Sequence, residues 1–149
     1  MPSARNDQHD NPLTGTSEGV AAYDRAVDRL LRFHPDVLAS ADELATDHSR
    51  LPMGQALLAY LHLMSTDAED LAGARTAAEG LRTTADLPRE RLHSAAVDSW
   101  LDRDWTGTSA TLDDVLRQWP ADLLALAISH QLDFFLGDAA NLRHRVGRS

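Results

Sequence analysis

Histidines in three successive predicted helical pairs are the side chains with the clearest chemical potential in this sequence. His62, His93 and His130 each fall on the first helix of a pair. If these first helices line one concave face, the three imidazoles could hold a zinc ion, because three histidines and a water form a known zinc site. No H-E-x-x-H motif is present. The competing interpretation, which is commoner for histidine, is a local hydrogen bond or a half-polar packing role.

Serines on the same helices raise the question of a nucleophile. Ser94, Ser99 and Ser129 lie close in sequence to Asp98 and Asp133. A serine nucleophile requires a base within hydrogen-bond reach and a third group that orients the base. The G-x-S-x-G elbow of hydrolases is absent, and so is the G-x-x-x-x-G-K-[ST] loop that holds phosphates. Hydrolytic and nucleotide chemistry are therefore disfavoured, and no cofactor is predicted.

The composition of the chain narrows its environment and its partners. The 149 residues include 23 acidic and 14 basic side chains, for a net charge of −9. Phosphate binding needs clustered lysine and arginine, so this excess argues against nucleic acids and anionic membranes and favours a partner with a basic patch. Cysteine is absent. The longest purely apolar run, residues 123–128, is far short of the roughly 20 residues that span a bilayer. We predict a cytoplasmic protein.

Apolar residues recur at helical spacing through most of the chain. Helices are expected to begin near four prolines: Pro35, Pro52, Pro88 and Pro120. Eight helical segments result, joined into four helix–turn–helix pairs, and no segment alternates like a strand. The third segment, which starts at Pro52, is apolar on several sides and is expected to lie buried in the middle. Residues 1–12 are polar and aperiodic, which predicts a disordered leader before a single domain over residues 13–149.

The last two predicted pairs repeat each other at an offset of 34 residues. At this offset Leu92 falls on Leu126 and Trp100 on Phe134, and Pro120 separates the two copies. A pair of helices cannot bury its apolar stripe alone, so a constant period implies that successive pairs stack. A period of about 34 residues is that of the tetratricopeptide repeat. The predicted fold is all-α, an α-solenoid of about four tetratricopeptide-like pairs in a right-handed stack. A generic helical bundle is the alternative.

Three segments resemble one family in particular. "PMGQALLAYL", "RERLHSAAVDSW" and "ALAISHQLDFFLGD" are similar to the N-terminal region of the tetratricopeptide repeat protein 38 family. His93 and His130 match the family pattern, whereas Gln55 departs from it, because the family usually has histidine at this position. The resemblance covers most of the chain after residue 12. It implies an α-solenoid and a family without a firmly assigned biochemical activity. Because members of the family are longer, the chain is expected to be either a fragment of a longer stack or a short relative.

In such a stack, one face of each first helix would line a concave groove. Tryptophan and phenylalanine are favoured anchors at protein interfaces. The side chains predicted to bind a partner in this groove are Glu90, His93, Val97, Trp100, Leu101, Gln131 and Phe134. For Trp100, a place in the core is an equal alternative. For Phe134 and Phe135 the core is favoured, because two adjacent phenylalanines cannot both face solvent comfortably.

These features favour a non-enzymatic scaffold that binds a protein or peptide segment on its concave face. The alternative is an enzyme, or a protein that binds a metal or small ligand, on the helices of His62, His93 and His130. The seventh helix is strongly apolar at its end, from Phe134 to Leu136. An uncovered apolar end invites association. We therefore expect self-association through the C-terminal helices or further helix pairs that cover this end.

Overall fold

Helices dominate the computed structural model of the chain, which describes residues 3–65 and 67–136, without the side chains of residues 135 and 136. Two short strands precede seven helices in this part of the chain. The strands and helices are β1 (Ser3–Asn6), β2 (Pro12–Gly15), α1 (Ser17–Leu31), α2 (Val37–Asp47), α3 (Pro52–Leu63), α4 (Ala68–Thr84), α5 (Pro88–Leu101), α6 (Trp105–Gln118) and α7 (Leu123–Leu136). The expected eighth helical segment lies outside the described residues.

An N-terminal hairpin replaces most of the expected disordered leader. The strands β1 and β2 pair in antiparallel fashion. In the turn between them, the Asp7 carboxylate accepts hydrogen bonds from the backbone amides of His9 and Asn11, and Asp10 adopts a positive φ of 63°. Leu13 of β2 is completely buried. The polar residues that suggested disorder therefore build a turn, and the predictions of a disordered leader and of no strands are wrong for residues 3–12.

Several helices begin where their capping chemistry predicts. The Thr16 hydroxyl accepts a hydrogen bond from the amide of Gly19 at the start of α1, at 3.0 Å. Pro52 and Pro88 are the first residues of α3 and α5, as expected for residues that lack an amide hydrogen. The Asp122 carboxylate accepts a hydrogen bond from Ala125 and so caps α7. These caps fix where each helix presents its side chains.

Helix α3 lies at the centre of the described structure. Its residues from Pro52 to Tyr60 are all buried, which confirms the expectation for this helix. It packs most extensively on α4 and also contacts α1, α2, α5 and β2. Three alanines of α4 are buried: Ala74, Ala77 and Ala78. Small side chains let the backbones of neighbouring helices approach closely, so the α3–α4 pair forms the middle of the core.

The coarse fold prediction is confirmed, whereas the four-pair stack is not. The described chain is mostly helical, and α1–α2, α3–α4 and α5–α6 pack as successive pairs, with α3 beside α5. A tetratricopeptide-like stack would also place α7 along α5. Among the described residues, α7 packs chiefly on α6 and also touches α1. The right-handed solenoid stays a prediction.

No helix in the described ranges is long and apolar enough to cross a bilayer. Cytoplasmic localisation stays a prediction.

Candidate functional site

Most of the predicted groove residues on α5 are buried. Glu90, His93 and Val97 have no exposed surface, and Trp100 retains only 6% of its own. The hairpin, α3, α4 and α6 all pack against α5 and cover it. The prediction that these side chains face an open groove is therefore wrong for Glu90, His93 and Val97. Trp100 and its neighbour Leu101 lie at the border of a surface cleft instead.

Glu90 binds the N-terminal hairpin and the start of its own helix. Its carboxylate accepts hydrogen bonds from the Thr14 amide at 2.6 Å and from the Thr14 hydroxyl at 2.8 Å. It also accepts from the backbone amides of Asp86 and Leu87 at 3.1 and 3.0 Å. Four donors to one carboxylate account fully for its burial, because a buried charge needs such partners. The role of Glu90 here is to dock β2 on α5.

His93 lies between a phenol and a carboxylate in the core. Its Nδ1 atom is 2.8 Å from the Tyr60 hydroxyl, and its Nε2 atom is 2.8 Å from Asp122 Oδ2. Burial raises the pKa of Tyr60 well above its usual value, so the phenol keeps its proton and donates to Nδ1. The Nε2–H group then donates to Asp122. A neutral histidine satisfies both contacts.

Arg89 joins the same carboxylate to the hairpin. Its Nε donates to Asp122 Oδ2 at 2.9 Å, and its Nη1 donates to the carbonyl of Pro12 at 2.9 Å. Its Nη2 lies 3.5 Å from Asp7 Oδ2. Burial alone would raise the pKa of Asp122, but His93 and Arg89 outweigh this effect and hold that pKa below its usual range. We call Asp7, Tyr60, Arg89, His93 and Asp122 the buried polar cluster.

The buried polar cluster resembles a proton relay in its chemistry but lacks access to solvent. A hydroxyl, an imidazole and a carboxylate in a row can move a proton only to a group that reaches them. Tyr60, His93 and Asp122 all have 0% exposed surface. The cluster instead ties α3, α5, the start of α7 and the hairpin together, and in this conformation its role is structural.

An open cleft of about 470 Å³ lies between the α3–α4 connection and the α5–α6 connection. We call it the tryptophan cleft. Its lining includes Asp67, Leu71, Arg75, Trp100, Leu101, Arg103 and Trp105. The rings of Trp100 and Trp105 meet edge to face, with centroids 6.1 Å apart. Arg75 and Arg103 are exposed, so the cleft combines an aromatic wall with two cationic side chains.

His62 borders the tryptophan cleft and is held by an acid. Its Nδ1 atom is 2.8 Å from Asp70 Oδ1, and the Ser65 hydroxyl donates to Asp70 Oδ2. These hydrogen bonds, from Ser65 first and His62 second, lower the pKa of Asp70. On the other side of the ring, a Cβ at Gly73 would lie only 2.8 Å from His62 Nε2. Glycine on α4 therefore makes room for the imidazole.

The three candidate zinc ligands do not converge. His62 lies beside the tryptophan cleft, His93 lies in the buried polar cluster, and His130 borders a different groove. Within residues 3–65 and 67–136, no group of three or more histidine, cysteine or acidic side chains is arranged to hold a metal ion. The zinc hypothesis is therefore wrong for this set, because successive first helices turn these side chains toward different surroundings.

The groove that contains His130 is apolar and lies between the end of α1 and α7. Its volume is about 310 Å³, and its lining includes Leu30, Phe33, Leu126, His130 and Gln131. Phe33 is 80% exposed and Leu126 is 50% exposed. We call it the α1–α7 groove. The predicted site residue Gln131 thus lies on a different surface from Trp100.

Phe134 lies near the end of α7 and is 76% exposed. The preference for a core position is wrong for Phe134, because α7 turns this side of the helix away from α6. The side chain of Phe135 falls outside the described part of the chain. An exposed phenylalanine next to the α1–α7 groove enlarges the apolar surface at this end of the molecule.

No known family model matches this chain, and no solved structure matches it. The resemblance to the tetratricopeptide repeat protein 38 family stays a prediction.

The sequence did not predict the residues that complete the buried polar cluster and the tryptophan cleft. Asp122 was recognisable as a helix cap because it directly precedes the apolar run of α7. Its second role, as the acceptor for Arg89 and His93, arises from a contact across 33 and 29 residues. Trp105 starts α6, and only the fold places it beside Trp100. Local patterns carry no signal for such long-range pairs.

Proposed function

We propose that the protein is a non-enzymatic helical scaffold that binds a protein segment in the tryptophan cleft. The observation that carries this proposal is the cleft wall formed by the buried Trp100 and the partly buried Trp105, beside the exposed Arg75 and Arg103. Tryptophan and arginine are the residues most enriched among the energetically dominant positions of protein interfaces. Leu101, from the predicted groove, lines the same cleft.

The absence of accessible chemistry in the described residues favours binding over catalysis. The one aligned set of a hydroxyl, an imidazole and a carboxylate discussed above is sealed in the core. His62 is bonded to Asp70 and has no nucleophile beside it other than Ser65, which donates to the same carboxylate. Neither arrangement presents a free base together with a nucleophile, as covalent catalysis requires.

The cleft also refines the expected partner. The net charge of −9 favours the approach of a basic protein. The cleft itself, however, offers an apolar wall for a large side chain and two guanidinium groups for a carboxylate. We therefore propose a bound segment that carries an aromatic or branched aliphatic residue close to an acidic residue, within a partner of any overall charge.

Selection from a random peptide library displayed on phage, with the full chain as bait, tests this proposal. Enriched peptides should share an apolar residue next to an acidic one. Trp105→Ala should weaken their binding by roughly tenfold or more in fluorescence anisotropy, because it removes an anchor surface. The matched control is Trp119→Ala, which changes a partly buried tryptophan outside the cleft.

A charge reversal separates recognition of the acidic residue of the peptide from recognition of its apolar residue. Arg75→Glu should weaken the binding of the acidic peptides. Arg91 is an exposed arginine of α5 that does not line the cleft, so Arg91→Glu should leave their binding unchanged. Enriched peptides that bind Trp105→Ala and Arg75→Glu as well as the native chain would contradict the proposal. A selection that enriches no peptide at all would also count against it.

We also propose, as a second candidate, self-association through the α1–α7 groove. The observation that favours it is the exposure of Phe33 and Leu126 around one apolar depression, with the exposed Phe134 four residues beyond His130 on α7. Contiguous apolar patches on soluble proteins commonly mark interfaces. A second copy of the chain would bring the same apolar surface to this end.

A further inference from the structure

The N-terminal hairpin is bound in the way that an extended peptide is bound. Glu90 accepts from the amide of Thr14 at 2.6 Å, and Arg89 donates to the carbonyl of Pro12 at 2.9 Å. These two backbone groups, two residues apart, both lie on the edge of β2 that faces away from β1. Adjacent side chains of α5 therefore satisfy the free edge of the strand, as a binding protein does for an added strand.

Side chains add specificity to this backbone recognition. The Thr14 hydroxyl donates to Glu90 at 2.8 Å, and the Asp7 carboxylate lies 3.5 Å from Arg89 Nη2. The Asn11 amide donates to the carbonyl of Ala121, immediately before α7, at 3.0 Å. Leu13 is the apolar anchor and is completely buried. The polar and backbone groups are received by a surface formed by Arg89, Glu90, Ala121 and Asp122, which is named the hairpin groove, whereas Leu13 lies in the hydrophobic core.

Besides the hairpin groove, α1 and α3 also contact the hairpin. Gln8 donates hydrogen bonds to Asp24 and Asp28 of α1, and β2 packs on α3. All four residues of β1 are exposed. An isolated two-stranded hairpin is marginally stable in water, so the order of residues 3–15 depends on its contacts with α1, α3 and α5. The surface beneath it is charged, and Arg89 and Asp122 would regain water when the hairpin leaves. Rehydration of such groups offsets part of the free energy that is lost on opening.

We propose that residues 3–15 are an internal ligand of the hairpin groove, and that this groove binds an extended segment of another protein when the hairpin leaves. The bound segment would supply a free strand edge for Arg89 and Glu90, an apolar side chain in the place of Leu13 and an acidic residue in the place of Asp7. The hairpin then acts as a competitive inhibitor within the same chain. This site is separate from the tryptophan cleft, and neither proposal depends on the other.

The test uses a fluorescent peptide with the sequence of residues 3–15 as the probe and the full chain as the receptor. Leu13→Asp in the receptor removes the anchor of its own hairpin, because a carboxylate cannot be buried there without a partner. This variant should bind the peptide at least roughly tenfold more tightly than the native chain, since its groove is free. The same peptide with its own Leu13→Asp change should not bind.

Two further receptors control the result. Ala4→Asp alters β1 on an exposed side chain away from α5, so its hairpin should still compete and its affinity should match that of the native chain. Arg89→Met, added to the Leu13→Asp receptor, should abolish binding of the peptide. Trp105→Ala should leave peptide exchange unchanged, which distinguishes this site from the tryptophan cleft.

Each other outcome overturns the proposal. If the Leu13→Asp receptor keeps the native helical circular dichroism signal but does not bind the peptide, the groove does not accept an external strand. If the same variant loses its helical signal, the hairpin is a fixed part of the fold and not a ligand. Equal binding by the Leu13→Asp and Ala4→Asp receptors would show that the peptide binds elsewhere.

Discussion

Asp122 is the residue on which the buried polar cluster depends most. Its Oδ2 atom accepts from both Arg89 and His93, and its Oδ1 atom caps α7. Asp122→Asn should lower the free energy of unfolding by about 3–5 kcal/mol, because it leaves a buried cation without its nearest counter-charge. Urea unfolding followed by circular dichroism measures this loss.

Asp114→Asn provides the comparison for that variant. Asp114 pairs with Arg117 on the exposed side of α6. Exposed ion pairs contribute about 0–1 kcal/mol, so the change should have little effect on the urea midpoint. If Asp122→Asn and Asp114→Asn lower the free energy of unfolding by similar amounts, burial of the cluster does not contribute to stability.

The depressed pKa of Asp122 also predicts how stability depends on pH. Its folded-state pKa lies below the value of about 3.9 for an unfolded aspartate, so the folded state binds fewer protons in acid. The contribution of Asp122 is therefore complete above about pH 5 and is lost as the pH falls below about 4. Urea midpoints measured from pH 7 to pH 2 should fall steeply at the acid end, and Asp122→Asn should flatten this part of the profile. An unchanged acid profile in Asp122→Asn would contradict the assignment.

At the scale of helices and strands, the α3–α4 contact offers a test of packing. Alanine in place of an interior helical glycine normally stabilises by about 1 kcal/mol. At Gly73, however, the new Cβ would lie 2.8 Å from His62 Nε2, and Asp70 holds the other side of that ring. Gly73→Ala should therefore lower the melting temperature of the native chain.

The His62→Ala background supplies the control. Without the imidazole the added methyl group has space, so Gly73→Ala should raise the melting temperature there. A double-mutant cycle measures this coupling directly. If Gly73→Ala raised the melting temperature equally in both backgrounds, the His62 ring would move aside at no energetic cost, which would contradict this prediction.

The sequence predicted helices better than it predicted the hairpin, for reasons visible in particular residues. The continuous burial of α3 follows from apolar residues on all its sides, and Pro52 and Pro88 mark helix starts by local chemistry. Strand β2 has only four residues, too few for an alternating pattern to emerge. Its order depends on contacts that include Glu90, which is 76 residues away from Thr14, and no local pattern predicts such a contact.

The same limit explains the outcome for the candidate site. Glu90, which was expected to face a groove, does bind another segment, but that segment is the hairpin of the same chain. Glu90 binds the hairpin and His93 binds Asp122 at the start of α7, so helical spacing did not indicate the partners of either residue. It could not reveal that the face is occupied. Open surfaces such as the tryptophan cleft depend on the meeting of α3, α4, α5 and α6.

At the scale of the whole molecule, the α1–α7 groove predicts concentration-dependent association. Phe134→Asp should shift the protein toward the monomer in light scattering, because it places a charge on the apolar surface beside the groove. Leu38→Asp, on an exposed leucine of α2, should leave the average mass unchanged. A native chain that remains a monomer at every concentration would contradict this second candidate function.

The long reach of the hairpin contacts has a consequence for the order in which the protein folds. The partners of Thr14 and Asn11 lie 76 and 110 residues further along the chain. Contacts between residues this distant in sequence form late, because closing a long loop costs conformational entropy before the stabilising contacts have formed. During synthesis, the hairpin leaves the ribosome before Ala121, so its binding surface is complete only after Ala121 has also emerged. The two strands therefore pack late, although they are synthesised before the helices that bind them.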